Sequence, residues 1–389
     1  MVVFKKIGFE KKSFGETPQK FCSTGGRVHS TAMAAAAGSL LLGGSPLLSI
    51  LRPQIKWINI PRAAVAVPSG DKVTSYQLRE GQRRLFHRLP SGLAMEVIFQ
   101  EGQAAASYSE EGCRNPPLVF VHGSFHAAWC WAEHWLPFFS DSGYDCYALS
   151  LLGQGESDVP SGTAAGTLQT HTSDIADFIL KEVRSPPVLI GHSFGGLIVQ
   201  SYISNMTDAS SSNPSSLSEN VAAPPLLAGA VLLCSVPPTG NSGLLWRYLL
   251  TKPIAAIKVT LSLAAKAFAN SLPLCKETFF SSTMEDHLVL KYQKLMKASS
   301  KLSLFDLRKL NASLPVPSPA KNTVKLLIMG ASNDFIVDAE GLNETTRFYG
   351  VQPICVEGVA HDMMLDSLWC KGAQILLLWL QELQKDQVV

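Results

Sequence analysis

Residues 186–203 read PPVLIGHSFGGLIVQSYI, from Pro186 to Ile203. The apolar run Val188–Ile190 stops at Gly191-His192-Ser193-Phe194-Gly195-Gly196, and a second apolar run follows. A short continuous apolar run ended by glycine reads as a strand buried on both faces, and the longer run behind it as a helix. Between the two, Ser193 occupies a sharp turn in which flanking side chains would collide with neighbouring backbone, so Gly191 and Gly195 are required there. The pentapeptide G-x-S-x-G on its own is a weak signal. Placed between strand and helix it reads as a nucleophile elbow, with Ser193 as candidate nucleophile and the Phe194 backbone N–H aimed at a developing oxyanion.

A serine nucleophile needs a base, and the base needs an acid to orient it. Downstream, Val324–Asp338 reads VKLLIMGASNDFIVD, a strand running into a loop with Asp334 just past its end. Ile354–Asp366 reads ICVEGVAHDMMLD, a second strand end with His361 in the following loop. Both positions lie where parallel sheets present ligand-facing residues, beyond the carboxyl ends of strands. Of the nine histidines only His287 and His361 follow Ser193. His287 falls in a helical region, which leaves His361 as the base. Asp338 reads as part of the next helix, and Asp362 adjoins His361 too closely to orient it.

The second oxyanion donor is expected after an earlier strand. Leu118–Trp131 reads LVFVHGSFHAAWCW, and the Ser124 N–H is the candidate, with His122 hydrogen-bonded to loop backbone. Phe125 and His126 are candidate substrate contacts. Trp129 and Trp131 read as core. No cofactor and no metal ligand set is expected.

Outward from these residues, the apolar runs Leu93–Phe99, Leu118–Val121, Tyr144–Leu149, Val188–Ile190, Ala230–Cys234, Val324–Met329 and Ile354–Val356 read as strands. Helical segments are expected at residues 131–139, 167–183, 196–204 and 366–383. Alternation of this kind specifies an α/β chain with a mainly parallel sheet. Thr207–Pro225 (TDASSSNPSSLSENVAAPP) reads as a flexible surface insertion. Residues 237–321 separate two strands by more than a crossover needs, which predicts a helical cap.

Composition narrows the classes. The chain has 389 residues, 46% hydrophobic and 16% charged, and a formal charge of +2. It supports a large core, and nucleic acid is excluded as a main partner. Residues 1–70 hold nine lysines and arginines against Glu10 and Glu16, amid Ser, Thr, Ala and Gly. That composition predicts a transit peptide over residues 1–68, with a plain disordered tail as the alternative, and a chloroplast location, with mitochondrion or cytosol as alternatives. Ala32–Leu51 is uncharged but interrupted by Pro46, so no integral membrane span is expected. Leu244–Lys266 mixes aliphatics with bases, and peripheral membrane contact is the alternative to an ordinary cap helix pair. The eight cysteines have neither C-x-x-C nor zinc spacing, which fits a reducing compartment.

With HGS at 122–124, GQGES at 153–157, GHSFGG at 191–196, Asp334 and His361, the chain from about Leu93 onward resembles the α/β-hydrolase superfamily. The block VHGSFHAAWCW is similar to that of plant methylesterases and hydroxynitrile lyases, and GQGES to that of general esterases and lipases. The resemblance implies the α/β-hydrolase fold: a mainly parallel sheet, helices on both faces, and a helical cap inserted after the sixth strand. It further implies a serine esterase acting on a small or lipophilic ester. Epoxide hydrolases and dehalogenases of this fold carry an aspartate where Ser193 stands, and hydroxynitrile lyases a lysine where Asp362 stands. Two alternatives remain open: an acyltransferase or thioesterase with the same triad, and a receptor binding a small apolar ligand without turnover.

Overall fold

The computed structural model describes residues 76–103, 115–211, 224–251, 253–319 and 324–385. The expected transit peptide (1–68) and the apolar stretch Ala32–Leu51 lie outside the described residues.

In chain order the strands are β1 Gln82–Arg88, β2 Ala94–Gln100, β3 Leu118–Val121, β4 Cys146–Leu149, β5 Ala164–Gly166, β6 Val188–His192, β7 Gly229–Leu233, β8 Ser303–Phe305, β9 Leu326–Ala331 and β10 Ile354–Val356. Eight of them form one sheet in the order β1-β2-β4-β3-β6-β7-β9-β10. From β4 to β10 all neighbours are parallel, whereas β2 runs antiparallel to both β1 and β4. β1 is absent from the sequence reading. Its burial alternates irregularly and it carries Arg83, Arg84 and Arg88, so no apolar run announces it. With β1 included, β7 is the sixth strand of the main sheet.

The central strands are continuously apolar because each face meets a different core. Leu118, Phe120, Val188, Ile190, Val231 and Leu233 point into one cluster, and Val119, Val121, Leu189, Ala230 and Leu232 into the other. Each fully buried aliphatic contributes about 1.5–3 kcal/mol of transfer free energy. A register slip would exchange the two sets against cores packed to fit them.

The helices are α1 Trp129–Ala132, α2 Trp135–Asp141, α3 Leu168–Glu182, α4 Phe194–Ser211, α5 Ser242–Thr251, α6 Pro253–Ala264, α7 Leu272–Phe279, α8 Asp286–Ser299, α9 Leu307–Ala312, α10 Ala339–Tyr349 and α11 Trp369–Lys385. α2 and α11 cover one face through Trp135, Phe139, Leu376 and Leu380. α3, α4 and α10 cover the other through Ile175, Phe178, Leu197, Ile198 and Leu342. α3 starts where Thr167 caps it, accepting from the Thr170 N–H while Thr170 returns a bond to the Thr167 N–H.

Between β7 and β9 the chain leaves the sheet for α5–α9, and β8 pairs there with β5 in a separate two-stranded sheet. Thr207–Ser211 continues α4, so the expected surface insertion does not begin at Thr207; residues 212–223 lie outside the described residues. Among the described residues no helix is long and apolar enough to cross a membrane.

Candidate active site

The sheet order reverses around β3, which has β4 on one side and β6 on the other. Loops leaving the carboxyl ends of two such strands diverge and open a crevice between them. Here the loop after β3 carries Ser124, Phe125 and His126, and the turn after β6 carries Ser193. The two loops touch: a Cβ on Gly123 would lie 2.8 Å from the Ser193 Cβ.

Ser193 has φ +54°, the left-handed region that non-glycine residues rarely adopt. Its neighbours explain how that backbone is held. A Cβ at Gly191 would meet the Gly195 carbonyl at 2.5 Å, and one at Gly195 the Val121 carbonyl at 2.5 Å. The Ser193 N–H donates to the Leu233 carbonyl at 3.0 Å, and the Ser193 carbonyl accepts from the N–H groups of Gly196 (3.0 Å) and Val236 (3.2 Å). That carbonyl shares a peptide plane with the Phe194 N–H, so these bonds also fix the direction of the N–H.

The Ser124 N–H is aimed in a similar way. His122 is fully buried; its Nε2 accepts from the Leu151 N–H at 3.0 Å, which puts the proton on Nδ1, and Nδ1–H donates to the Gly123 carbonyl at 2.7 Å. The Gly123 carbonyl and the Ser124 N–H belong to one peptide plane. Burial pushes the His122 pKa down to about 3, so the ring holds this tautomer as a neutral group. Among the described residues, neither the Ser124 nor the Phe194 N–H donates to another protein group.

Asp334 follows β9 in a tight turn. Its Oδ1 accepts from the N–H groups of Ile336 and Val337, both at 2.8 Å. Its carboxylate also meets His361 Nδ1, at 3.0 Å from Oδ1 and 2.8 Å from Oδ2. Both side chains are buried. Burial alone would lower the His361 pKa, but the Asp334 charge and hydrogen bond outweigh it, and the net shift is upward. Among the described residues no hydrogen bond joins Ser193 Oγ to His361 Nε2, although both residues line one cavity. Such contacts commonly tighten only when substrate is bound.

The competing acids have other partners. Asp338 caps α10, accepting from the Gly341 N–H at 3.0 Å, and pairs with Arg247 of α5. Asp362 is buried and turns to His126, whose Nε2 lies 2.9 Å from its Oδ2 while His126 Nδ1 donates to the Ser124 carbonyl at 2.8 Å. Burial would raise the Asp362 pKa, but His126 and, more weakly, His192 and His361 bring it below the usual carboxylate value. His287 is solvent-exposed on α8.

His126 and Asp362 therefore tie the loop carrying Ser124 to the loop carrying His361. His192 adds a second tie, its Nε2–H donating to the His361 carbonyl at 3.0 Å. The sequence reading missed both His192 and the use made of Asp362. Each side chain is defined by a partner far away in the chain, and local pattern carries no trace of it.

Above these groups lies a cavity of about 380 Å³. Ser193, His361, Ser124 and Phe125 form its floor. Leu263, Phe279, Leu304 and Phe305 come from the excursion between β7 and β9, the last two from β8, and Ile336 from the loop after β9. Trp129 is packed away from this space, donating Nε1–H to Ser299 Oγ at 3.0 Å and stacking on Tyr292; Trp131 is fully buried against Phe120. The described cysteines are all unpaired.

Comparison with known proteins follows the same lines. A family model described as the alpha/beta hydrolase family matches residues 118–368. Human protein phosphatase methylesterase 1 is 26% identical over 161 residues, which is 39% of this chain and 42% of that protein. Mouse epoxide hydrolase 4 is 37% identical over 91 residues, 23% of this chain and 25% of that protein. The chain thus matches less than half the length of these curated relatives. Among solved structures, an esterase from Exiguobacterium antarcticum superposes with a TM-score of 0.54 at 18% identity, covering 76% of this chain and 98% of that one. A bromoperoxidase from Bacillus anthracis gives 0.53 at 16% identity, over 77% and 100%. At these identities the likeness is one of fold, and the fold hosts more than one chemistry.

Proposed function

The chain belongs to the alpha/beta hydrolase family, and from that premise we propose that it is a serine hydrolase of carboxylic esters. One observation carries the reading: Ser193 on its left-handed turn and the Asp334-bound His361 border the same largely apolar cavity. The epoxide-hydrolase likeness does not extend to the nucleophile, since Ser193 stands where those enzymes carry aspartate.

In this mechanism Ser193 Oγ attacks the ester carbonyl while His361 Nε2 takes its proton. Asp334 holds the Nδ1–H and stabilises the imidazolium. The Ser124 and Phe194 N–H groups, each fixed through its own peptide plane, meet the oxyanion; one such donor is worth about 10²–10³ in rate. His361 returns the proton to the leaving alcohol, and the acyl group stays on Ser193. Water then attacks the acyl-enzyme with His361 as base, releasing the acid. The apolar walls favour a lipophilic acyl or alcohol group.

Saturable turnover of p-nitrophenyl esters of rising chain length, reduced at least about 10⁴-fold in Ser193→Ala, supports this reading. Ester turnover undiminished by Ser193→Ala overturns it, and ligand-dependent partner recruitment without turnover points to a receptor. The acid-poor N-terminus supports plastid import as part of the same reading. A fluorescent fusion of residues 1–68 that stays in the cytosol would remove that part.

A further inference from the structure

We infer that the cavity selects esters bearing an anionic group, carboxylate or phosphate, and that Lys266 is the residue that reads it; this rests on the ester-hydrolase reading. Lys266 is the only lysine or arginine among the described residues lining the cavity. It is half-buried, and among the described residues no acid pairs with it. Its Nζ lies 5.7 Å from the centroid of the Phe125 ring. Phe125 also lines the cavity and directly follows Ser124, so the ammonium stands beside the oxyanion loop. Among the other lining groups, the Asp362 carboxylate faces His126 and the His361 imidazole faces Asp334.

A π face answers an ammonium only in part, and burial takes away some of the water that would complete its shell. A ligand anion entering the cavity meets a donor whose charge nothing else has taken up. The backbone adds an independent observation. Lys266 follows α6 with φ +51°, a post-helical left-handed position where glycine is ordinarily found. Strain of this kind at a non-glycine residue is concentrated at ligand-binding positions. Glycine would relax the turn and lose the ammonium.

The test uses the full-length chain and two matched pairs of esters. Mono-p-nitrophenyl glutarate against p-nitrophenyl valerate places the anion on the acyl side. 4-Acetoxybenzoate against its methyl ester places it on the alcohol side. In at least one pair the ratio of kcat/KM, anionic over neutral, should fall about tenfold or more in Lys266→Met, the order a charge-assisted contact supplies. The pair that responds identifies the side. A ratio unchanged by Lys266→Met in both pairs overturns the inference while leaving the hydrolase reading intact. Calorimetric binding of monohexyl glutarate to the wild type and to Lys266→Met separates the two claims. Binding weakened about tenfold by the variant, in a chain that turns over no ester, keeps the anion site and removes the hydrolase reading. Equal binding to both proteins counts against the anion site.

Discussion

His361 Nδ1 lies 2.8 Å from Asp334 Oδ2 across 27 residues of sequence, with both side chains buried. Burial pulls the imidazole pKa down, Asp334 pushes it up more strongly, and the result stands above the ordinary value of 6.5. In the proposed mechanism His361 acts as a base only when neutral, so kcat/KM should fall as pH drops through this raised value. The acid limb of the pH profile is expected above pH 6.5. Asp334→Asn should move it downward and reduce kcat by about 10³–10⁴-fold. A wild-type limb below 6.5, unmoved by the substitution, contradicts the pairing.

His122 and His192 are shifted the other way, each down to about 3, chiefly by burial. The unfolded chain protonates these groups below about pH 6.5 while the folded chain keeps them neutral down to about 3. Their contribution is complete above pH 6.5 and is lost as pH falls toward 3, at up to about 1.4 kcal/mol per pH unit for each histidine. Urea midpoints between pH 7 and pH 4.5 should decline, and His122→Asn should make the decline shallower. Parallel declines in the two proteins would contradict a neutral buried His122.

Asp362 and His126 form a buried hydrogen-bonded pair, with both side chains shut off from solvent. Removing one partner leaves the other buried and unpaired, at a cost of about 1–3 kcal/mol, whereas replacing both with apolar groups costs less. Asp362→Leu should therefore destabilise more than the double variant Asp362→Leu/His126→Leu, as measured by chemical denaturation. Additive losses would show that the two do not act as a pair.

Gly123→Ala places a methyl group 2.8 Å from the Ser193 Cβ and 3.2 Å from the His192 carbonyl. One of the two loops has to move, and a displacement near 1 Å at reacting groups can cost about a hundredfold. We expect a kcat loss of that order in a protein that still folds, judged by its thermal midpoint. Unchanged kcat would mean that the loops yield without disturbing Ser193.

Much of the fold is legible in the residues alone, because β3, β6 and β7 are buried on both faces and their continuous apolar runs can be read directly. Where a strand is half-exposed and rich in arginine, as in β1, or short and without a run of branched aliphatic residues, as in β5 (AAG) and β8 (SLF), no pattern rises above the background. The positions of Ser193, Asp334 and His361 are legible for a similar reason: each follows a strand that can itself be recognised. His192 and Asp362 are ordinary residues in the sequence and acquire meaning only through partners 169 and 236 residues away. Lys266 is hidden in the same way, since nothing in its neighbours says that its ammonium stands over the Phe125 ring.

The most direct test of the account is covalent labelling by a fluorophosphonate probe, in wild type and Ser193→Ala, at pH values above and below 6.5. An activated serine predicts stoichiometric labelling that vanishes with Ser193 and weakens as His361 protonates. Folded wild-type protein that takes up no probe, or that is labelled equally after Ser193→Ala, would contradict it.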